Sequence, residues 1–323
     1  MPTLRDVARA AGVSTTTASD ALAGRGRITA ATRERIAAAA RDLGYLPNLA
    51  ARNLRRGRTG AIGLRVPERT AGLTYYMELA IGAAERAHAE DAALTLLPTG
   101  SPPRPGLHVD GVVVADPALG DPGVAALAAA GLPVVTCERD LTPGAAHAGT
   151  VESDHAATAV RLLDHLAARG ARRTAVLAPG TETAYGHDLR AAHERWCAER
   201  SVPPLVRDVG LASDPVVVAG AVAELLGSAE PPDALLVVPD GSATPALEAV
   251  RARGLHPPGD LLFAAYADGP VLRALQVTAV DLAAREMGRR LAGLLLDVLA
   301  GRRPPGTREV LPLQLVERAS SAR

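Results

Sequence analysis

Between residues 61 and 300, short β-rich runs alternate with longer amphipathic stretches, and this alternation constrains the fold more than any other feature of the chain. The runs are Ala61–Val66, Ala93–Leu97, Gly111–Ala115, Pro133–Cys137, Thr174–Ala178, Ala234–Val238 and Leu261–Ala265, most of them ending at Pro, Gly or Asp. Spacing predicts helices near Thr74–Glu90, Val124–Ala130, Ala156–Arg169, Asp188–Arg200, Val216–Leu226, Thr244–Arg253 and Leu282–Ala300. Strands and helices in this order imply parallel sheets covered on both faces, a doubly wound α/β architecture. Ligands of such sheets bind outside the carboxyl ends of the strands.

Other classes fall away on composition. No apolar run approaches the ~18–20 residues of a membrane span. The opening MPTLRDVARAAGVS lacks the apolar core of a signal peptide. The two cysteines, Cys137 and Cys197, stand apart and suggest neither a disulfide framework nor a zinc site. Gly24-Arg25-Gly26 does not follow a strand, so it is no dinucleotide fingerprint, and there is no Walker A sequence. A cytoplasmic protein with no cofactor, no metal and no membrane partner is expected.

The 323 residues carry 35 basic and 35 acidic side chains, a net charge of zero. That neutrality hides a split. Residues 1–60 hold 11 arginines against Asp6, Asp20, Glu34 and Asp42, a net of +7, and the remainder is −7. Such asymmetry suits a basic nucleic-acid module joined to an acidic body. The basic segment also has a pattern. Thr3 can cap a helix with Leu4, Val7, Ala8 and Ala11 on one face, and Gly12 makes a turn. Ser14 caps a second short helix, Thr15–Leu22, and a third runs from near Thr29 to Leu43, where Gly44 ends it. This is a helix-turn-helix arrangement, whose second helix lies in the DNA major groove.

The run LRDVARAAGVSTTTASDALAGRGRITAATRERI, with LGYLPNLAARNLRRGRTGAIGL after it, resembles the start of a lactose-repressor (LacI/GalR) family transcription regulator. The resemblance implies an N-terminal all-α helix-turn-helix domain over 1–46 and a hinge helix and linker over 47–60. Residues 61–323 would form an α/β periplasmic-binding-protein-like domain for effector binding and dimerisation. Its two doubly wound subdomains would be about 61–156 with 283–311, and about 157–282 with 312–323. The implied protein is a homodimeric, sequence-specific DNA-binding regulator, a repressor on a palindromic operator, controlled by a small, sugar-like effector.

Residue by residue, the resemblance puts Thr15, Thr16 and Asp20 against base edges and the hydroxyls of Ser14, Thr17 and Ser19 against phosphate. Thr3, Leu4 and Thr29, at helix starts, join the DNA contacts, as do Asn48, Ala51, Arg52 and Arg55 of the hinge. Leu54 would wedge into the minor groove and kink the duplex. The family often has Arg where Asp20 stands and Asn where Ala23 stands, which implies a different operator and one backbone contact fewer. Asp20 has the alternative of pairing with Arg25 or Arg27.

In the body, the resemblance places Tyr75, Tyr76, Asp154, Arg190, Asp240 and Asp268 in the effector cleft. Asp154 has the alternative of capping the helix it precedes, and Arg190 of being solvated. Ala267 and Pro239 replace residues that are often Asp and Asn. Between Leu97 and Val109, PTGSPPRPGLH stands where relatives have a helix. Two readings from other classes compete: a solute-binding protein, and an enzyme on the same α/β fold. For the enzyme, Asp154-His155 and Cys137-Glu138 are the suggestive neighbours, with no nucleophile elbow beside them.

Overall fold

A computed structural model describes residues 2–22, 24–45, 57–67, 73–97 and 107–322. The chain forms two compact units, Met1–Thr59 and Gly60–Arg323.

In the first unit, α1 (Leu4–Ala10), α2 (Thr15–Leu22) and α3 (Ala30–Asp42) close over a small core of Val7, Ala8, Ala11, Ala18, Ala21, Ile36 and Ala40. Small residues at the contact positions let the short helices approach closely. Asp6 accepts from the backbone N–H (2.8 Å) and hydroxyl (2.7 Å) of Thr3, which fixes the first turn of α1. Gly12, at φ +63°, takes the left-handed conformation that reverses the chain into α2. Arginines of α3 tie the unit together: Arg35 Nε donates to Ala11 O (3.1 Å) and Arg33 Nη1 to Ala21 O (3.0 Å). Each thereby satisfies a carbonyl at the C-terminal end of a helix, where positive charge is favoured.

The second unit holds two six-stranded sheets. The first has the order β11 (Thr307–Leu311), β5 (Gly149–Ser153), β4 (Val134–Cys137), β3 (Val112–Ala115), β1 (Ala61–Arg65), β2 (Ala93–Leu97), all parallel. The second runs β12 (Gln314–Val316), β10 (Thr278–Asp281), β9 (Leu262–Ala265), β8 (Ala234–Val237), β6 (Thr174–Ala178), β7 (Leu205–Asp208), parallel except for β12. The chain crosses between the sheets after β5, after β10 and after β11. Helices α4 (Thr74–Ala89), α5 (Pro122–Ala129) and α11 (Ala284–Leu299) cover the first sheet. The second is covered by α6 (His155–Ala168), α7 (Ala184–Glu199), α8 (Pro215–Leu226), α9 (Ala243–Ala252) and the short α10 (Pro270–Ala274).

All seven expected β-rich runs are strands, but β5, β7, β10, β11 and β12 are additional. The second sheet's β7 and β12 and the first sheet's β11 are outer strands whose side chains are only partly buried, so their sequences carry little apolar signal. Helices α4 and α11 pack unusually close. A Cβ on Gly82 would lie 1.9 Å from Arg285 O, and one on Gly288 would lie 2.0 Å from Leu79 O. This contact fixes α4, whose first turn carries Tyr75 and Tyr76. No helix lies between Leu97 and Val112 among the described residues; 98–106 fall outside them.

Candidate functional site

In the N-terminal unit, Ser14 caps α2: its Oγ accepts from Thr17 N–H (3.1 Å) and lies 2.8 Å from Thr17 Oγ1. Thr29 caps α3 in the same way, accepting from Thr32 N–H (3.3 Å). These hydroxyls hold the helix starts in place. Thr15 and Thr16, at the first turn of α2, are exposed, and Ser19 and Asp20 are half-buried further along. Leu4 is half-buried against the core. Asp20 forms no ion pair with Arg25 or Arg27; the link between these segments is the Arg25 N–H donating to Asp20 O (2.8 Å). Ala23 and the hinge residues Asn48, Ala51, Arg52, Leu54 and Arg55 lie outside the described residues.

In the larger unit a narrow pocket opens where the carboxyl ends of both sheets face each other. Tyr75, Tyr76, Asp116, Glu138, Ser153, His155, Tyr185 and Asp240 supply its polar lining, with Leu211 and Leu282. Asp116 directly follows β3 and Glu138 directly follows β4. Both have left-handed backbones, φ 45° and 66°, a conformation that costs a non-glycine residue energy and clusters at functional sites. Glu138 accepts from Ser153 N–H with both oxygens (3.1 Å each), and its Oε1 lies 3.2 Å from His155 Nε2. His155 Nδ1 is hydrogen-bonded to Tyr266 OH (3.0 Å). Tyr76 OH donates to Asp116 Oδ2 (2.7 Å), and Tyr185 OH to Val238 O (2.7 Å).

Burial, reinforced by the neighbouring Glu138 carboxylate, raises Asp116 to about 7. Burial raises Asp240 too, against the Gly241 and Tyr75 amides that pull it down. For His155, burial works downward, but Glu138, Asp116 and Asp188 outweigh it and raise the imidazole. Nearby, Arg139 Nη2 donates to Asp188 Oδ1 (2.8 Å), and Leu119 N–H donates to Glu182 O (2.6 Å). Each of these joins a segment of the first sheet's layer to one of the second's.

Tyr75, Tyr76 and Asp240 are thus brought together as expected from the sequence, and three other candidates are not in this pocket. Asp154 is exposed and caps α6, accepting from Ala157 N–H (2.9 Å). Arg190 donates to Pro179 O (3.0 Å) and pairs with Asp208. Asp268 is held on both oxygens by Arg318 (2.9 and 2.8 Å) and also by Arg273, on the edge of a wider outer hollow. Asp116, Glu138, His155 and Tyr185 were missed. The first two had a legible signal: a carboxylate directly after a buried apolar run, as in VVVAD and VVTCE, stands where such sheets bind ligands. The helical spacing started α7 at Asp188, which left out the turn carrying Tyr185.

Comparison with known proteins places this architecture. Residues 3–48 match the bacterial regulatory proteins of the lacI family, and residues 163–321 match a periplasmic binding protein-like domain. The chain is 31% identical to the HTH-type transcriptional regulator CelR of Thermobifida fusca, over 99% of this chain and 98% of that protein. The chain belongs to the LacI family. Its fold is that of LacI-family regulators, an N-terminal helix-turn-helix and a two-subdomain α/β body. It is also similar to the repressor CytR of Escherichia coli, at 26% identity over 99% of this chain and 96% of CytR. The solved structure of a CelR–cellobiose complex superposes with a TM-score of 0.74 at 27% identity, covering 99% of this chain and all of that one. A lac repressor dimer bound to operator and an anti-inducer gives 0.78 at 23% identity, covering 100% and 99%, and so shares the fold. No described helix of this LacI-family protein is long and apolar enough to cross a membrane.

Proposed function

We propose that this LacI-family regulator is a cytoplasmic, homodimeric repressor that reads a roughly palindromic operator and is controlled by a small molecule in the pocket between its two sheets. The observation that carries the reading is α2. It opens with exposed Thr15 and Thr16 on a helix fixed by Ser14 and by the Gly12 turn, the placement from which a recognition helix reaches base edges. Thr15, Thr16 and Asp20 would contact bases, with Thr3, Leu4, Ser14, Thr17, Ser19 and Thr29 along the phosphates. Asn48, Ala51, Arg52, Leu54 and Arg55 would form the hinge contacts, Leu54 as the minor-groove wedge.

Tyr75, Tyr76, Asp116, Glu138, His155, Tyr185 and Asp240 form the effector pocket in this reading. Asp268, held by Arg318, borders the outer hollow. A ligand that favours one closure of the two subdomains shifts the order of the hinge, and hence DNA affinity, by linkage. The dimeric, operator-bound state of the lac repressor and the cellobiose complex of CelR support the partners proposed here. The enzyme reading loses ground because burial pushes the Cys137 thiol well up, which keeps it from being a thiolate nucleophile.

Selection of bound DNA from a random pool tests the proposal. The expected product is a consensus of two inverted half-sites. A pool with no enriched sequence, or one with a single unrepeated site, contradicts it.

A further inference from the structure

The hydrogen-bond inventory of the pocket is lopsided. Three carboxylates and one imidazole line it, with no arginine, lysine, asparagine or glutamine among the described lining residues. Glu138 accepts Ser153 N–H on both oxygens, with His155 Nε2 3.2 Å from Oε1. Asp116 receives only the neutral Tyr76 hydroxyl. Asp240 accepts Gly241 N–H on Oδ1 (2.8 Å) and feels the Tyr75 amide, but its buried Oδ2 makes no hydrogen bond of good geometry. The tyrosine donors, by contrast, are largely engaged, Tyr76 OH on Asp116 and Tyr185 OH on Val238 O, while His155 Nδ1 lies against Tyr266 OH and its Nε2, 3.2 Å from Glu138, makes no hydrogen bond of good geometry. A hydroxyl group brings a donor but also acceptor lone pairs that need partners, whereas an ammonium has three donors and no acceptor. Buried carboxylates without counter-charge are costly, and a cation removes that cost. The phenol rings of Tyr75 and Tyr76, edge to face at 5.1 Å, add π-faces that attract a cation.

We propose that the effector is a small cation, a ligand whose protonated amine sits among Asp116, Glu138 and Asp240 with its carbon skeleton against Tyr75, Tyr76 and Tyr185. This rests on the reading of the pocket as the effector site and specifies the chemistry of its ligand. The outer hollow, which shares Tyr75 and Leu282 with the pocket, holds the remainder of a larger ligand.

The test uses the full-length protein in matched pairs: glucosamine against glucose and N-acetylglucosamine, and putrescine against 1,4-butanediol, read by thermal shift and calorimetry. At least one amine should bind about tenfold or more tightly than its uncharged partners, a preference that Asp116→Asn and Asp240→Asn each remove while the unliganded variants still melt cooperatively. Affinity for putrescine, whose amines stay protonated throughout, should also rise from pH 6 to pH 8 as Asp116 ionises. Tyr75, Tyr76, Glu138, Cys137, His155 and Tyr185 are the titratable groups that face it. Equal or tighter binding of the neutral member in both pairs, or no response to either amine, overturns the proposal. The same samples are assayed on selected operator DNA with cellobiose. Operator release by cellobiose without amine binding would sink the cation and leave the effector-controlled regulator standing.

Discussion

His155 Nε2, at the start of α6, lies 3.2 Å from Oε1 of Glu138, at the end of β4, so groups from the layers of both sheets meet inside one pocket. The contact joins the two halves of the larger unit, and the carboxylates around His155 raise its imidazole. It sits beside Asp116, whose carboxyl is held at about 7.

That arrangement fixes a pH dependence. Asp116 titrates near 7 in the fold and near ~3.9 in an unfolded chain, so folded protein keeps a proton that unfolded protein gives up. Stability therefore falls as pH rises between those values, by up to ~4 kcal/mol, and levels off above. His155, raised by its carboxylate neighbours, acts in the same direction: its contribution is full below its unfolded pKa and lost as pH passes its folded one. The melting temperature should be lower at pH 8 than at pH 5.5, and Asp116→Asn should be more stable than the parent at pH 8 with a flatter profile. Identical profiles for the two proteins would rule this out.

The α4–α11 contact predicts opposite signs for one substitution at different sites. Gly82→Ala and Gly288→Ala place a Cβ about 2 Å from backbone oxygens and should each destabilise by ~1–3 kcal/mol. Gly220→Ala, in α8 with nothing within 4 Å, should stabilise by ~0.5–1 kcal/mol. Urea denaturation of the three variants provides the check.

The arginines of the N-terminal unit divide by role. Arg35→Ala leaves the Ala11 carbonyl without its guanidinium and should cost ~1–3 kcal/mol, visible as faster hydrogen exchange in α1 of the full chain. Arg25→Ala, at an exposed loop position, should leave exchange unchanged and weaken DNA binding. Equal exchange in both variants would show that Arg35 carries no structural load.

Asp20→Asn should alter base preference at one step of each half-site, because a carboxylate accepts from cytosine N4 whereas an amide also donates. An identical selected consensus for both proteins would refute direct reading by this residue.

Much of this was legible in the sequence. Buried central strands such as VVVA and ALLV are continuous apolar runs, and the helices between them keep their spacing. The partly exposed TREVL and QLV are not, because an outer strand needs fewer apolar residues. The family resemblance, rather than periodicity, put Asp240 and the two tyrosines in one cleft, and they line one pocket. Asp154 and Asp268 could not be placed, since whether a carboxylate faces a ligand, caps a helix or meets Arg318 depends on residues distant in sequence. For the same reason Asp154-His155 and Cys137-Glu138 gave little on their own, although His155 and Glu138 meet in the fold.

The split of +7 and −7 inside a neutral chain states the central claim in charge: a basic segment that holds DNA, and an acidic body. The most direct measurement is operator affinity by fluorescence anisotropy against salt concentration, using the selected operator. With about four to eight arginine–phosphate contacts per dimer, log affinity should fall linearly with log salt at a slope of roughly −4 to −7. A slope near zero would contradict the account.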